Sequence, residues 1–267
     1  MGAYLSEPIT QKDIDYSNQS PNYEYCAASM QGWRVEMEDT HIANTDIDGQ
    51  KNALFAVFDG HGGAEISKYQ YKEALTQAFL KMDDLIRSQL PDAIAGCTAN
   101  VILIIEKKNI YCANCGDSRT VISKGGTALP LSIDHKPDDE IELKRINNAG
   151  GQVLNGRVNG NLNLSRAIGD MDYKINEINK NCDPKDYMIS AFPDVQVQEI
   201  TNDINLIVMG CDGIWECKDN QYIIEYFSKQ EDLQQQSQDF LDEIISKNQD
   251  GASIGMDNMT LIVIRIK

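Results

Sequence analysis

Leu54 to Gly63, reading Leu-Phe-Ala-Val-Phe-Asp-Gly-His-Gly-Gly, restricts the fold more than any other stretch of the chain. Its run of apolar residues bounded by turn formers predicts a core strand. The strand runs out at Asp59, so it delivers a carboxylate to the edge of a core. An Asp-Gly turn alone would account for this pattern, but the pattern recurs. Asn205 to Met209 leads to Cys211-Asp212-Gly213, and Asp257-Asn258 opens the last apolar run, which ends at Ile266. Carboxylates are rarely buried unless paired or bound to a metal. If the three strands are neighbours, these acids together with Glu38 make an all-oxygen site. Such a site suits Mg²⁺ or Mn²⁺, whereas zinc would favour Cys or His.

Around these junctions the chain reads as many short strands with helices grouped between them. Tyr23 to Ser29, Thr40 to Thr45, Thr98 to Ile105 and Ile110 to Asn114 read as strands, and Arg119 to Ser123 with Ala128 to Ser132 as a hairpin across Gly125-Gly126. Val195 to Ile200 and Asn205 to Met209 read as a second hairpin. Ala74, Leu75, Ala78, Phe79, Met82, Leu85 and Ile86 recur at helical spacing before Pro91. Pro137 reads as the start of a helix that closes at Gly150-Gly151, and two further helices are predicted at about 219–229 and 232–247. Residues 174–186 are polar and weakly patterned and read as a surface loop. The fold class expected is α+β with antiparallel sheets, not the regular alternation of a parallel sheet.

With 267 residues and no Pro- or Ser-rich linker, the chain is long enough for one large domain or two small ones, with a polar leader, residues 1–22, before the expected domain at 23–267. A net charge of −17 argues against a nucleic-acid surface or a polybasic membrane patch. Seven cysteines without a secretory signal suggest reduced thiols and a cytoplasmic location. Met1-Gly2-Ala3-Tyr4-Leu5-Ser6 fits the myristoylation pattern. A single acyl chain on Gly2, with no basic cluster nearby, would give only weak, reversible membrane association.

Arg34, close in sequence to Glu38, could fork two phosphate oxygens, and His61 could donate a proton to a leaving alkoxide. The blander readings are an arginine paired with Glu36 or Glu38 and a histidine that serves its glycine-rich turn.

The segments Gly32-Trp33-Arg34-Val35-Glu36-Met37-Glu38-Asp39, Asp59-Gly60-His61-Gly62-Gly63, Gly96-Cys97-Thr98-Ala99, Asn114-Cys115-Gly116-Asp117-Ser118-Arg119, Asp134-His135-Lys136-Pro137, Leu164 to Asp170, Cys211-Asp212-Gly213-Ile214-Trp215 and Asp257-Asn258-Met259-Thr260 stand in a definite order. This ordered series resembles that of the type 2C, metal-dependent protein serine/threonine phosphatases. The resemblance implies two packed antiparallel sheets flanked by helices and a centre of two Mg²⁺ or Mn²⁺ ions, with a weaker third. By the same resemblance Asp59 would bridge two metals, Asp212 and Asp257 would complete one, and Glu38 with the Gly60 carbonyl the other. Asp134 and Asp212 match acids linked to the third ion. A bridging water would attack phosphoserine or phosphothreonine of a protein substrate directly, with Arg34 holding the phosphate and His61 as general acid. Asp39 and Asn258 would orient metal-bound waters, and residues 166–186 match a flap beside the site. A monomer is expected.

One departure from the family stands out. Only Ala64 to Ala95 separates two motifs that usually flank two helices, and Tyr69-Gln70-Tyr71 reads as the place where one helix is missing or shortened. The rival reading is therefore an impaired phosphatase-like module that binds metal or phosphorylated partners. Other chemistries fit less well. Asn44 to Gly49 begins like a calcium loop but has Phe55 where Glu is required. Gly251-Ala252-Ser253-Ile254-Gly255 matches a nucleophile elbow, yet a helix precedes it, a strand follows it, and no histidine lies beyond residue 135. Cys112 and Cys115 would face opposite ways on a strand, as structural thiols do.

Overall fold

The computed structural model describes residues 4–49, 52–61, 75–105, 107–229, 231–247 and 254–267, with His61 described in its backbone only. Gly2, Gly62, Gly63, Tyr69-Gln70-Tyr71 and Gly251-Ala252-Ser253 lie outside the described residues.

Two antiparallel sheets pack face to face. The larger has the order β1 (Tyr4–Ser17), β2 (Tyr23–Arg34), β16 (Met259–Ile266), β15 (Ile204–Gly210), β9 (Arg119–Lys124), β10 (Thr127–Pro130). The smaller has the order β14 (Asp194–Glu199), β8 (Asn109–Cys115), β7 (Ala99–Ile105), β4 (Ala53–Phe58), β3 (Thr40–Asn44). A short sheet has the order β13 (Ile168–Gly169), β6 (Gly96–Cys97), β5 (Gly60–His61), and β11 (Val153–Leu154) pairs with β12 (Arg157–Val158).

The unbroken apolar run of β4 follows from burial on both faces. Ala53, Phe55 and Val57 join the core between the sheets. Leu54, Ala56 and Phe58 join a second core with Phe79, Met82 and Ile86 of α1 (Leu75–Gln89). The outer face of the larger sheet is covered by α4 (Asn220–Phe227) and α5 (Leu233–Ile244), whose Phe227 and Phe240 rings meet at 5.2 Å. Cys112 and Cys115 fall in different cores, as alternation along β8 requires.

Three details differ from the sequence reading. Val195 to Ile200 and Asn205 to Met209 do not form a hairpin. β14 pairs with β8, Asp194 opposite Asn114, whereas β15 lies between β9 and β16. The two strands have different characters: β14 is an exposed edge strand with Val195 and Val197 outward, and β15 is buried at the centre of the other sheet. Residues 200–203 therefore cross between layers. The helix read from Pro137 begins at Glu140, as α2 (Glu140–Asn148), because Asp139 Oδ2 first accepts the Lys136 N–H in a turn. The polar leader contains β1, an edge strand with Pro8 within it, and such a strand needs no apolar run because its outer edge and one face meet water.

Candidate metal centre

The site is built from strand ends. Asp59 follows β4, and its backbone is pinned on both sides by Thr98: the Asp59 N–H donates to Thr98 Oγ1 at 3.0 Å and the Thr98 N–H to Asp59 O at 2.7 Å. Thr98 Oγ1 lies 2.7 Å from Ser118 Oγ, which ties in the turn after β8. Asp212 opens the one-turn helix α3 (Asp212–Trp215) after β15, and Asp257 stands two residues before the start of β16.

Backbone approaches at two glycines allow these ends to converge. A Cβ at Gly60 would stand 2.5 Å from Glu38 O, and one at Gly213 would stand 2.0 Å from Asn258 O. No side chain fits at either place. Asn258 then stitches the Glu38 segment in place. Its Oδ1 accepts the Glu38 N–H at 3.1 Å, and its Nδ2 donates to Gln31 O at 2.7 Å and Glu36 O at 3.1 Å.

The outcome is a small cavity of ≈ 100 Å³ with Arg34, Glu38, Asp59, Gly60, Asp212 and Asp257 in its wall. One carboxylate oxygen from each of Asp59, Asp117 and Asp212 lies within 4.8 Å of the others. Asp117, at the turn after β8, was not assigned a role from sequence. Its signal was present: a mostly apolar strand ending in Gly116-Asp117, the reverse of the Asp-Gly order. Asp134 is not brought to this cluster. Arg119 holds it through Nε and Nη2 at 2.9 and 2.7 Å, in a separate groove of ≈ 640 Å³.

The electrostatics mark these acids as short of positive charge. Loss of hydration, followed by the charges of Asp39, Asp212 and Asp117, pushes the Asp59 carboxyl well above its usual range. Loss of hydration, then Asp117 and Asp257, does the same to Asp212. Burial raises Asp39 to about 6, partly offset by the neighbouring Thr260 and Cys211, and neither Asp39 oxygen has a hydrogen bond in good geometry. Among the described residues, two cations pair with these acids. Lys136 pairs with Asp117, and Arg34 forks Asp257 through Nε at 2.7 Å and Nη2 at 2.5 Å. The Arg34 guanidinium is thus engaged by an acid from the far end of the chain.

All-oxygen donors with surplus negative charge fit a hard divalent cation. Cys211 Sγ comes close to Asp39 and Asp59. It accepts the Thr260 N–H at 3.2 Å, and burial raises its thiol pKa far above the usual range. The His61 backbone pairs with Gly96 in the short sheet.

Comparison with known proteins agrees with this geometry. A family model described as Protein phosphatase 2C matches residues 23–76 and 70–254. Its two parts overlap at residues 70–76. Probable protein phosphatase 2C 5 of Paramecium tetraurelia is 40% identical over 302 residues, covering 100% of both chains. Protein phosphatase 2C homolog 2 of Schizosaccharomyces pombe is 38% identical over 293 residues, covering 99% of this chain and 78% of the relative. A solved phosphatase from Toxoplasma gondii shares the fold, with a TM-score of 0.79, 24% identity and 96% of each chain covered. The chain belongs to the protein phosphatase 2C family of serine/threonine phosphatases.

Proposed function

We propose that this chain removes phosphate from phosphoserine and phosphothreonine of proteins by direct attack of water, using Mg²⁺ or Mn²⁺ held by its convergent acids. The supporting observation is the meeting of Asp59, Asp117 and Asp212 within 4.8 Å, with too little positive charge to balance them. Two ions fit this reading. Asp212 and Asp257 would help hold one, Glu38 and the Gly60 carbonyl the other, and Asp59 would contribute to both. Asp117, not Asp134, joins Asp212 at a weaker third site. When bound, the ions supply an acidified water and neutralise charge developing on the phosphoryl group.

The protein's own side chains do the rest. Arg34, in the cavity wall and held by Asp257 through Nε and Nη2, takes phosphate oxygens through its remaining N–H groups. His61 gives a proton to the leaving serine or threonine oxygen. Asn258 keeps Glu38 in place by holding its backbone, and Asp39 orients water from behind the ligands.

Phosphate release from a phosphothreonine peptide is expected to require Mn²⁺ or Mg²⁺ and to stop in EDTA. His61→Gln should slow esters with poor leaving groups more than activated aryl phosphates. Absence of phosphate release by protein that binds Mn²⁺ would favour a binding module and overturn the proposal.

A further inference from the structure

Strand β1 pairs irregularly with β2, yet returns to it at its first residue. Ile9 stands opposite Gly32 and Tyr4 opposite Arg34, so Leu5-Ser6-Glu7-Pro8 on β1 face only Trp33 on β2. Excess residues of this kind bulge out of a ladder and break its hydrogen bonds. An edge strand that only closed the sheet could end at Ile9. This one continues past the irregularity and sets Tyr4 against an arginine of the acid cavity.

Residues directly opposite in an antiparallel pair share a face, and their side chains meet. Arg34 Cζ lies over the Tyr4 ring, 5.8 Å from its centroid, within the range at which a guanidinium is drawn to an aromatic face. Tyr4 is half-buried, and the Arg34 side chain keeps 33% of its exposure, so water screens the contact only in part.

Other groups fix the rest of Arg34. Gln31 Nε2 donates to Arg34 O at 2.9 Å and to Val35 O at 3.0 Å, which holds the backbone. Asp257 takes the Nε and Nη2 edge of the guanidinium. Hydrogen bonds along one edge resist rotation within the plane better than tilt out of it, because their angles are broad. A ring against the face resists that tilt. A cation held by Asp257 would also compete with Arg34 for the same carboxylate oxygens, whereas the ring contact does not depend on them.

We propose that Tyr4 is a positioning residue for phosphate binding. Its ring holds the plane of the Arg34 guanidinium and leaves Nη1 for the phosphate oxygens. The proposal rests on the reading of Arg34 as the phosphate-holding residue.

The test uses the full chain with Tyr4→Ala, Tyr4→Leu and Tyr4→Phe, each also made with Arg34→Ala. Affinity for inorganic phosphate in Mg²⁺ is measured by calorimetry, beside steady-state kinetics on p-nitrophenyl phosphate. Tyr4→Ala should weaken phosphate binding and raise KM by about three- to fivefold, with kcat and Mg²⁺ affinity within about twofold of the parent. Tyr4→Leu keeps apolar bulk without a π face and should lose as much, while Tyr4→Phe should match the parent. With Arg34→Ala in place, the Tyr4 substitutions should have no further effect on phosphate affinity. An equal loss in that background, full affinity in folded Tyr4→Ala, or Tyr4→Leu matching the parent overturns the role. If Tyr4→Ala does not fold, Tyr4→Leu carries the same test. A parent chain that binds phosphate but hydrolyses nothing would remove the hydrolysis reading alone, and the affinities would still decide the role of Tyr4.

Discussion

Asp59 and Glu142 are both carboxylates with restricted access to water, yet their surroundings move them in opposite directions. Asp59 sits among Asp39, Asp117, Asp212 and Asp257 and is pushed well above its ordinary range. Glu142, on α2, is also pushed up by burial, but the Arg166 hydrogen bonds and the Arg145 charge outweigh that and bring it down to about 2. Arg166 reaches Glu142 Oε1 at 2.6 Å and Asp194 Oδ1 at 2.7 Å, and Asp194 Oδ2 lies 3.2 Å from His135 Nε2. His135 Nδ1 accepts the Gly116 N–H at 3.1 Å, so this compensated network ends at the turn that carries Asp117. One charged group is closed within the protein and serves the scaffold. The other is left open and calls for a cation.

The largest effect should come from Asp59→Asn. Activity toward a phosphothreonine peptide in Mn²⁺ is expected to fall on the order of 10³-fold. In EDTA the same variant should melt higher than the parent, because a like charge has left the cluster. A lower melting temperature in EDTA would erase the contrast drawn here.

Glu142→Ala attacks the other side. It takes the shared carboxylate from Arg145 and Arg166 and should cost about 3–5 kcal/mol in urea unfolding, with Mn²⁺ affinity unchanged. Retention of full stability would mean that the network is not a structural element.

The smallest but most direct contrast lies in pH. Glu142 has a folded pKa of about 2 against an ordinary 4.5. Its stabilisation is present above 4.5 and fades as pH falls toward 2. Asp59 and Asp212 are raised from 3.8, so their burden is absent below 3.8 and grows as pH rises through their folded values. Metal binding must displace those protons. Calorimetry in buffers of different ionisation enthalpy should show proton release on Mn²⁺ binding and weaker binding as pH falls. A pH-independent affinity would argue that the acids are already charged.

Much of this arrangement was legible in the chain. The core strand Ala53–Phe58, the hairpin of β9 with β10, the α1 helix and the strand ends at Asp59, Asp212 and Asp257 follow from local periodicity and turn residues. The cross-sheet path from β14 to β15 was not legible, because a four-residue connection looks the same whether it turns back or crosses a layer. Nor was the placing of Asp117, and not Asp134, beside Asp59 and Asp212. Both stand in polar turns, and Arg119, fifteen residues before Asp134, claims one while leaving the other beside Asp59.

The sequence by itself determined where carboxylates would leave the core, since strand period and turn chemistry act over a few neighbouring residues. Only the tertiary structure decided which of those carboxylates meet, which are neutralised by guanidinium or ammonium, and which remain in surplus. Desolvation and charge pairing depend on groups far apart in the chain, and in this protein they separate the acids poised for a metal from the acids that hold the scaffold.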